Sequence, residues 1–447
     1  MLAPVRPQYE GGEMINPASP GLPHEFADRI TKPFTRFLRV EAAAGGFLLV
    51  ATLVALIITN TAWSGQFLTL WEMQIGLQIG PWDFTRSTGH WINDGLMTFF
   101  FFVVSLEMKR EFALGELRNL RTAALPFAAA LGGMIVPASI YIAILAGKAG
   151  MHGWGTVMAT DTAFVIGGLA LFGSRIPHSL RLFLIALAIF DDIGAILVVA
   201  IGYGSALKFV AIGLGLFLLG IIAITARLGI RSIPIYFLFG AAFWLCLDAS
   251  GIHATIAGVI LGLITPTRIW VGVPRLRAIL GNILEPRDHE WSGDTSDRRE
   301  LVEAGRAISE SLSPLERLEM MLHPWVGFAV MPLFALANAG VVFSASDVQP
   351  VSVAIFFALV FGKPIGVILF SWLALRSGVA RLGAGLNWSF LTAGALLTGI
   401  GFTMSIFIAN LAYPPTLMVA AKLGILLASL ASAVLGLSAI YWVTSHN

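Results

Sequence analysis

Charged residues are scarce in this chain. Only 12% of its 447 residues are Asp, Glu, Lys or Arg, while 57% are hydrophobic. An ordinary soluble domain is about 25% charged. The shortage excludes two or three soluble domains, the organisation that the length alone would allow. Cysteine is nearly absent. The single Cys246 rules out an intramolecular disulfide framework and reads as a small apolar filler. Acidic residues are missing over long stretches. There are none after Asp347, and between Glu116 and Asp248 only Asp161, Asp191 and Asp192 occur. A formal net charge of +2 gives no pull toward a polyanion, and no nucleic-acid partner is expected.

What fills the chain is a series of apolar runs of roughly 20 residues, each long enough to cross a hydrocarbon core of about 30 Å as a helix. They predict an all-α integral membrane protein of about twelve spans, near 44–62, 90–111, 123–147, 154–173, 179–203, 206–226, 232–248, 250–267, 323–342, 352–376, 387–411 and 417–443. Residues 1–35 carry Pro4, Pro7, Pro17, Pro20 and Pro23 and no apolar core, and are expected to be a disordered cytoplasmic tail. Residues 36–447 are read as one transporter domain. With the N-terminus inside, 23 of the 28 basic residues fall on the inner side, and only Arg86, Lys148 and Lys208 fall outside. The positive-inside rule thus places both termini in the cytoplasm. Segment 268–322 becomes a cytoplasmic loop with some helix at 299–320. Segment 63–89 becomes an external loop, where Gln74–Ile79 alternates ahead of Gly80–Pro81 and predicts a β-hairpin.

Asp161, Asp191 and Asp192 all lie inside predicted spans, the last two at the middle of the fifth. A charge at a helix centre costs about 2.5–3.5 kcal/mol on insertion scales, so such residues mark function more often than structure. Adjacent helical residues point about 100° apart, so Asp191 and Asp192 can face different surroundings. Two nearby carboxyls in low dielectric resist joint ionisation. A hard cation such as Na⁺ prefers oxygen ligands, and a proton can neutralise the same oxygens. Competition between them is a physical basis for exchange. Lys363, at the middle of the tenth span and followed by Pro364, needs a counter-charge at that depth; Asp191 or Asp192 is the natural partner. Lys422 lies near the end of its span and can snorkel.

The fourth span is interrupted by Thr160–Asp161–Thr162, the eleventh by Thr398–Gly399–Ile400–Gly401. Hydroxyl and small residues at mid-membrane favour side-chain-to-backbone bonding and open a helix. Spans 3–5 and 10–12 are then two triplets, each with a broken middle helix and inserted in opposite senses. Such an inverted repeat points to an ion site at the membrane midplane. Asp161 would balance the positive ends of half-helices and Lys363 the negative ends.

In order and spacing, several stretches resemble the NhaA-type sodium/proton antiporter family over residues 36–444. They include Trp91–Ile92–Asn93–Asp94, Leu106–Glu107–Met108–Lys109–Arg110–Glu111, Ala159–Thr160–Asp161–Thr162, Phe190–Asp191–Asp192–Ile193–Gly194, His253–Ala254–Thr255, Leu322–His323–Pro324–Trp325, Gly362–Lys363–Pro364 and Gly399–Ile400–Gly401–Phe402–Thr403–Met404–Ser405. Inverted repeats are already known in that family. The resemblance implies a bacterial inner-membrane homodimer whose external hairpins pair. It assigns Na⁺ and proton binding to Asp191 and Asp192, with Thr160 as a further ligand candidate. It places Thr160, Asp161 and Lys363 at the helix crossing, and favours Asp191 as the partner of Lys363. It puts Glu107, Arg110, Glu111 and Glu319 in a cytoplasmic funnel linked to the pH response. Some relatives have a histidine after the position of Glu319, where this chain has Met320.

The expected activity is exchange of Na⁺ or Li⁺ for H⁺ by alternating access, with no cofactor and no enzymatic step, in the service of sodium and pH homeostasis. The nearest alternative is a sodium-coupled organic-anion symporter on a related fold, which wants more intramembrane cations than this chain offers. An intramembrane aspartyl protease wants its two aspartates on separate helices, whereas Asp191 and Asp192 share one.

Overall fold

The computed structural model describes residues 9–10, 13–14, 41–79, 82–204, 207–228, 233–284, 295–342, 348–383 and 385–446. It divides into two units, Met1–Val40 and Glu41–Asn447. In the first, the described residues form only the antiparallel pair β1 (Tyr9–Glu10) and β2 (Glu13–Met14). The rest of the tail expected at 1–35 lies outside the described residues.

The second unit is helical, in keeping with its composition. In chain order, α1 (Glu41–Thr59) and α2 (Ser64–Glu72) precede the hairpin β3 (Gln74–Ile79) and β4 (Trp82–Ser87). Next come α3 (Thr88–Ala113), α4 (Leu120–Ile144), a 3-10 segment (Met151–Val157), α5 (Thr162–Ala170), α6 (His178–Gly202), α7 (Phe209–Arg227), α8 (Ile233–Ser250) and α9 (Ile256–Ile264). Then follow α10 (Val273–Leu284), α11 (Thr295–Ser309), α12 (Pro314–Asn338), α13 (Pro350–Arg376), α14 (Trp388–Leu397), α15 (Phe402–Ala412) and α16 (Pro415–His446).

Eight of these helices are individually long and apolar enough to cross a membrane, and ten spans result if the bent pairs α1–α2 and α14–α15 each count as one. Two of the twelve expected spans therefore fall outside this count. The fourth is the 3-10 segment joined to α5 across a break. The eighth shrinks from 250–267 to the nine residues of α9, because Gly251, at φ +86°, ends α8 in a turn that a side chain would strain.

The ninth span starts earlier than its hydropathy suggested. Ser313 Oγ accepts the Glu316 N–H (3.2 Å), Glu316 Oε2 accepts the Ser313 N–H (2.9 Å), and Pro314 occupies the first turn. This capping box begins a helix that runs on to Asn338, so Glu319, within the helix expected at 299–320, is continuous with the ninth span. That loop also holds α10, where no helix was expected, and α11, which matches the start of the helix expected at 299–320; its residues 285–294 lie outside the described ones. On the hairpin side, β3 and β4 pair in the register Gln74 with Ser87 through Ile79 with Trp82. The hairpin is thus present, with Gly80 and Pro81 outside the described residues. The helix α2 ahead of it was not anticipated.

Proline shapes the interior. Widened π-type turns occupy Val326–Val330 and Ala358–Gly362, each ending just before a residue followed by proline, Met331–Pro332 and Lys363–Pro364. Proline has no N–H to give to the preceding turn, and the extra residue in that turn absorbs the mismatch. Glycine sets the closest helix contact. A Cβ at Gly132 of α4 would stand 2.1 Å from the Gly366 carbonyl of α13, and the converse distance is also 2.1 Å. Only glycine allows the two backbones to touch, and a Cβ at Gly133 beside this contact would lie 3.8 Å from Cγ and Cε of the Lys363 stem. In the same way α9 docks on α3 through Gly258 and Gly262, where added Cβ atoms would meet the Thr98 carbonyl and Ser105. Among the eight helices that are individually long enough to cross, the one carrying the aspartate pair is the most enclosed, with 61% of its apolar stretch buried, against 11% for α7 and 17% for α8. The latter two face outward, toward lipid.

Candidate functional site

The middle of α6 carries Asp191 and Asp192 side by side, about 100° apart around the helix, both buried. Across from them the chain runs without helix from Ala159 to Asp161, and a second break covers Thr398–Gly401. The two breaks meet. The Asp161 N–H donates to the Ile400 carbonyl (2.7 Å), and Thr160 Oγ1 lies 3.1 Å from the Thr398 carbonyl. Backbone groups left without helical partners on one strand are thereby matched by those of the other.

Asp161 closes the crossing on its positive side. Its Oδ1 accepts the Phe164 N–H at the start of α5 (3.4 Å), and its Oδ2 accepts the Thr403 N–H at the start of α15 (3.0 Å) together with the Thr403 hydroxyl. One carboxylate therefore caps two helix N-termini. Lys363 works at the other polarity. Its Nζ donates to the carbonyl of Met158, at the C-terminal end of the 3-10 segment, and stands 2.9 Å from Asp191 Oδ2 with both side chains fully buried. Thr160 Oγ1 also approaches Asp191 Oδ2, at 2.6 Å. The counter-charge that Lys363 required is thus Asp191.

Asp192 differs from its neighbour in pairing and in exposure. No cation pairs with it among the described residues, and it retains 6% exposure where Asp191 has none. Asp191 Oδ1 and Asp192 Oδ1 are both buried without a hydrogen-bond partner among the described residues. Two orphaned carboxylate oxygens at this depth offer lone pairs to a proton or a hard cation and to nothing else nearby.

A second polar group gathers toward the far end of α3. Arg110 bridges Glu111 (3.1 Å) and Glu319, while His323 Nε2 lies 3.3 Å from Glu107 Oε1. The four residues named for the pH response, Glu107, Arg110, Glu111 and Glu319, thus sit together. His323 was overlooked as a member. Its signal was the four-residue spacing from Glu319, which puts both on one face of a helix. Met320, in the place where some relatives carry histidine, is exposed. Thr403 was quoted within a motif but given no role, and a core relay of three asparagines was missed. Asn410 Nδ2 donates to Asn338 Oδ1, and Asn338 Nδ2 donates to Asn93 Oδ1, each at 2.7 Å.

Residues 35–440 match the family model described as Na+/H+ antiporter 1. The Na(+)/H(+) antiporter NhaA of Rhizobium meliloti is 58% identical over 436 residues, which covers 97% of this chain and 100% of the relative. The Na(+)/H(+) antiporter NhaA 2 of Acidiphilium cryptum is 57% identical over 420 residues, 93% of each chain. The NhaA 2 antiporter of Vibrio vulnificus is 49% identical over 417 residues, again 93% of each.

Proposed function

The chain belongs to the Na+/H+ antiporter 1 family and exchanges Na⁺ for H⁺ across a membrane, and from that premise we propose that the exchange takes place at Asp191 and Asp192. The observation that carries this reading is the pair of orphaned oxygens, Asp191 Oδ1 and Asp192 Oδ1, buried at the middle of α6. Asp192 is the group that loses its proton when Na⁺ arrives, because no cation holds it ionised in the absence of the ion. Asp191 completes the oxygen set while Lys363 holds it in place, and Thr160 is a further oxygen within reach of the same carboxylate. Na⁺ and H⁺ displace one another because the low-dielectric site tolerates one positive charge on these oxygens and not two. Li⁺, also a hard cation, follows the same route.

Alternating access comes from the crossing. Asp161, Thr403, Met158 and Lys363 tie three half-helix ends to one point, so a small tilt of the crossed pair against α6 exposes the aspartates to one side and then the other. Spans 3–5 and 10–12 form the inverted repeat that such a movement uses, and twelve spans result when the broken fourth and the short eighth are counted. The excess of basic residues sets both termini on the cytoplasmic side of a bacterial inner membrane. There Glu107, Arg110, Glu111 and Glu319 guard the inner mouth and tune the response to pH. The organic-anion symporter gains nothing from the geometry, since Lys363 is occupied by Asp191 and the Met158 carbonyl.

Replacing Asp192 by Asn keeps shape and removes both titration and charge. In proteoliposomes the Asp192→Asn protein should show no Na⁺-dependent proton flux while eluting from gel filtration as the parent does. Flux at the parental rate would remove Asp192 from the site. The hairpin supplies a dimer contact, because a two-stranded sheet has two free edges and a second copy can extend it. Deleting residues 75–81 should shift the protein toward monomer in detergent and leave transport measurable. An unchanged mass would dismiss that contact.

A further inference from the structure

At the hairpin end of the bundle lies a group of side chains that the exchange reaction does not use. His90 lies in the first turn of α3, just after β4, and Asp94 follows one turn later. Asp248 stands near the end of α8, and His253 lies in the turn between α8 and α9. His90 Nδ1 is 3.1 Å from Asp94 Oδ2, His90 Nε2 is 4.0 Å from Asp248 Oδ1, and His253 Nε2 is 3.7 Å from Asp94 Oδ1. One ligand atom each from His90, Asp94 and Asp248 can be chosen so that all three lie within 4.8 Å of one another. We propose that these three residues, with His253 as a fourth, form a binding site for a divalent cation of the Zn²⁺ class that joins α3, α8 and the turn before α9.

The donor set decides the class of ion. Two imidazoles and two carboxylates suit Zn²⁺, Co²⁺ or Ni²⁺, whose preferred ligands include nitrogen, whereas Mg²⁺ and Ca²⁺ favour all-oxygen shells. Two features prepare the imidazoles for a metal. His253 Nδ1 is engaged by the Thr255 hydroxyl at 2.9 Å, which orients the ring and turns Nε2 toward Asp94. Metal-ligating histidines are typically held in this way by their other nitrogen. His90 Nε2 is buried with no hydrogen-bond partner among the described residues, although it faces a carboxylate 4.0 Å away. A metal ion within reach of both atoms would satisfy the nitrogen and shorten that gap.

Arg86 is the competitor. Its Nη2 lies 3.5 Å from Asp248 Oδ2, so it partly neutralises the carboxylate that the metal needs. Its side chain is 39% exposed and can withdraw into water, a cheap movement for a long and already half-solvated group. The site is remote from the Glu107–Arg110 group at the other end of α3. Asp94 and Glu107 are thirteen residues apart on α3, about 20 Å along the axis. It does not rest on the assignment of Asp191 and Asp192, and its test needs no flux measurement.

The test is Zn²⁺ binding to the full-length protein in detergent after removal of any polyhistidine tag, read by calorimetry and by thermal unfolding. The parent should bind one Zn²⁺ per chain, unfold at a higher temperature with Zn²⁺ present, and ignore Mg²⁺ at the same concentration. His90→Gln and Asp248→Asn, made separately so that one misfolded variant does not decide the matter, should each weaken Zn²⁺ binding about tenfold or more and lose the thermal shift. Arg86→Gln should strengthen binding by freeing Asp248. A parent that binds no stoichiometric Zn²⁺, or His90→Gln and Asp248→Asn proteins that bind it as the parent does, would overturn the site.

Discussion

The two breaks that cross at the centre of the bundle solve the same electrostatic problem with different materials. The break at Met158–Asp161 carries a carboxylate of its own, while the break at Thr398–Gly401 carries no charge. Yet both N-termini that face the crossing are capped, because Asp161 reaches across to the Thr403 N–H as well as to its own helix. The negative end of the first break is met by Lys363, which comes from a third helix. The uncharged break contributes instead its carbonyls and its lack of bulk. A Cβ at Gly399 would lie 2.6 Å from the Leu359 carbonyl, and one at Gly401 would lie 3.2 Å from the Ala159 carbonyl. One half supplies charge and the other supplies space. A second carboxylate there would have had to be buried without a second cation, at a cost of several kcal/mol.

That division of labour can be broken at graded points. The largest effect belongs to Lys363. Lys363→Gln leaves Asp191 buried without its cation and should destabilise the protein by about 3–5 kcal/mol, as loss of one partner of a buried pair does. Adding Asp191→Asn should restore much of that loss. Thermal unfolding of the two single variants and the double variant measures the coupling, and strictly additive losses would mean that the 2.9 Å contact carries no energy. Asp161→Asn should come next. It keeps an acceptor for one N-terminus, weakens the other, and removes the charge, for a loss of about 1–2 kcal/mol. Transport should survive with a raised apparent KM for Na⁺; a dead Asp161→Asn beside an active Asp192→Asn would exchange the roles given to the two. Thr403→Val should be mildest, at about 1 kcal/mol. It deletes the hydroxyl bond to Asp161 but spares the backbone N–H that does the capping. If Thr403→Val proves as damaging as Asp161→Asn, the second break depends on its own side chain and the contrast between the breaks fails.

Much of the architecture was legible because the membrane makes apolar length and charge position decisive. The runs around α3, α4, α6, α7, α8, α13 and α16 fall where hydropathy placed them, since any helix there must be about 20 residues long and nearly uncharged. Where that constraint is absent, prediction weakened. The helix α2 and the helix α10 lie in stretches expected to be loops, and α12 begins with Ser313 and Pro314, a capping signal that a hydropathy window averages away. The short α9 was drawn too long because apolar residues on both sides of Gly251 look alike to such a window.

By itself the sequence determined that the protein is a helical membrane bundle, that three aspartates and Lys363 lie deep within it, and that two helices break at mid-depth. Those conclusions follow from how expensive charge and unpaired backbone are in hydrocarbon, an expense that can be read at single positions. Which oxygen meets which cation was decided only in three dimensions. Asp191 and Asp192 are chemically identical neighbours. What separates them is the direction each takes from α6 and the place where Gly132 and Gly366 let α13 set Lys363 down. That is a matter of packing between helices more than 160 residues apart, and no local spacing encodes it.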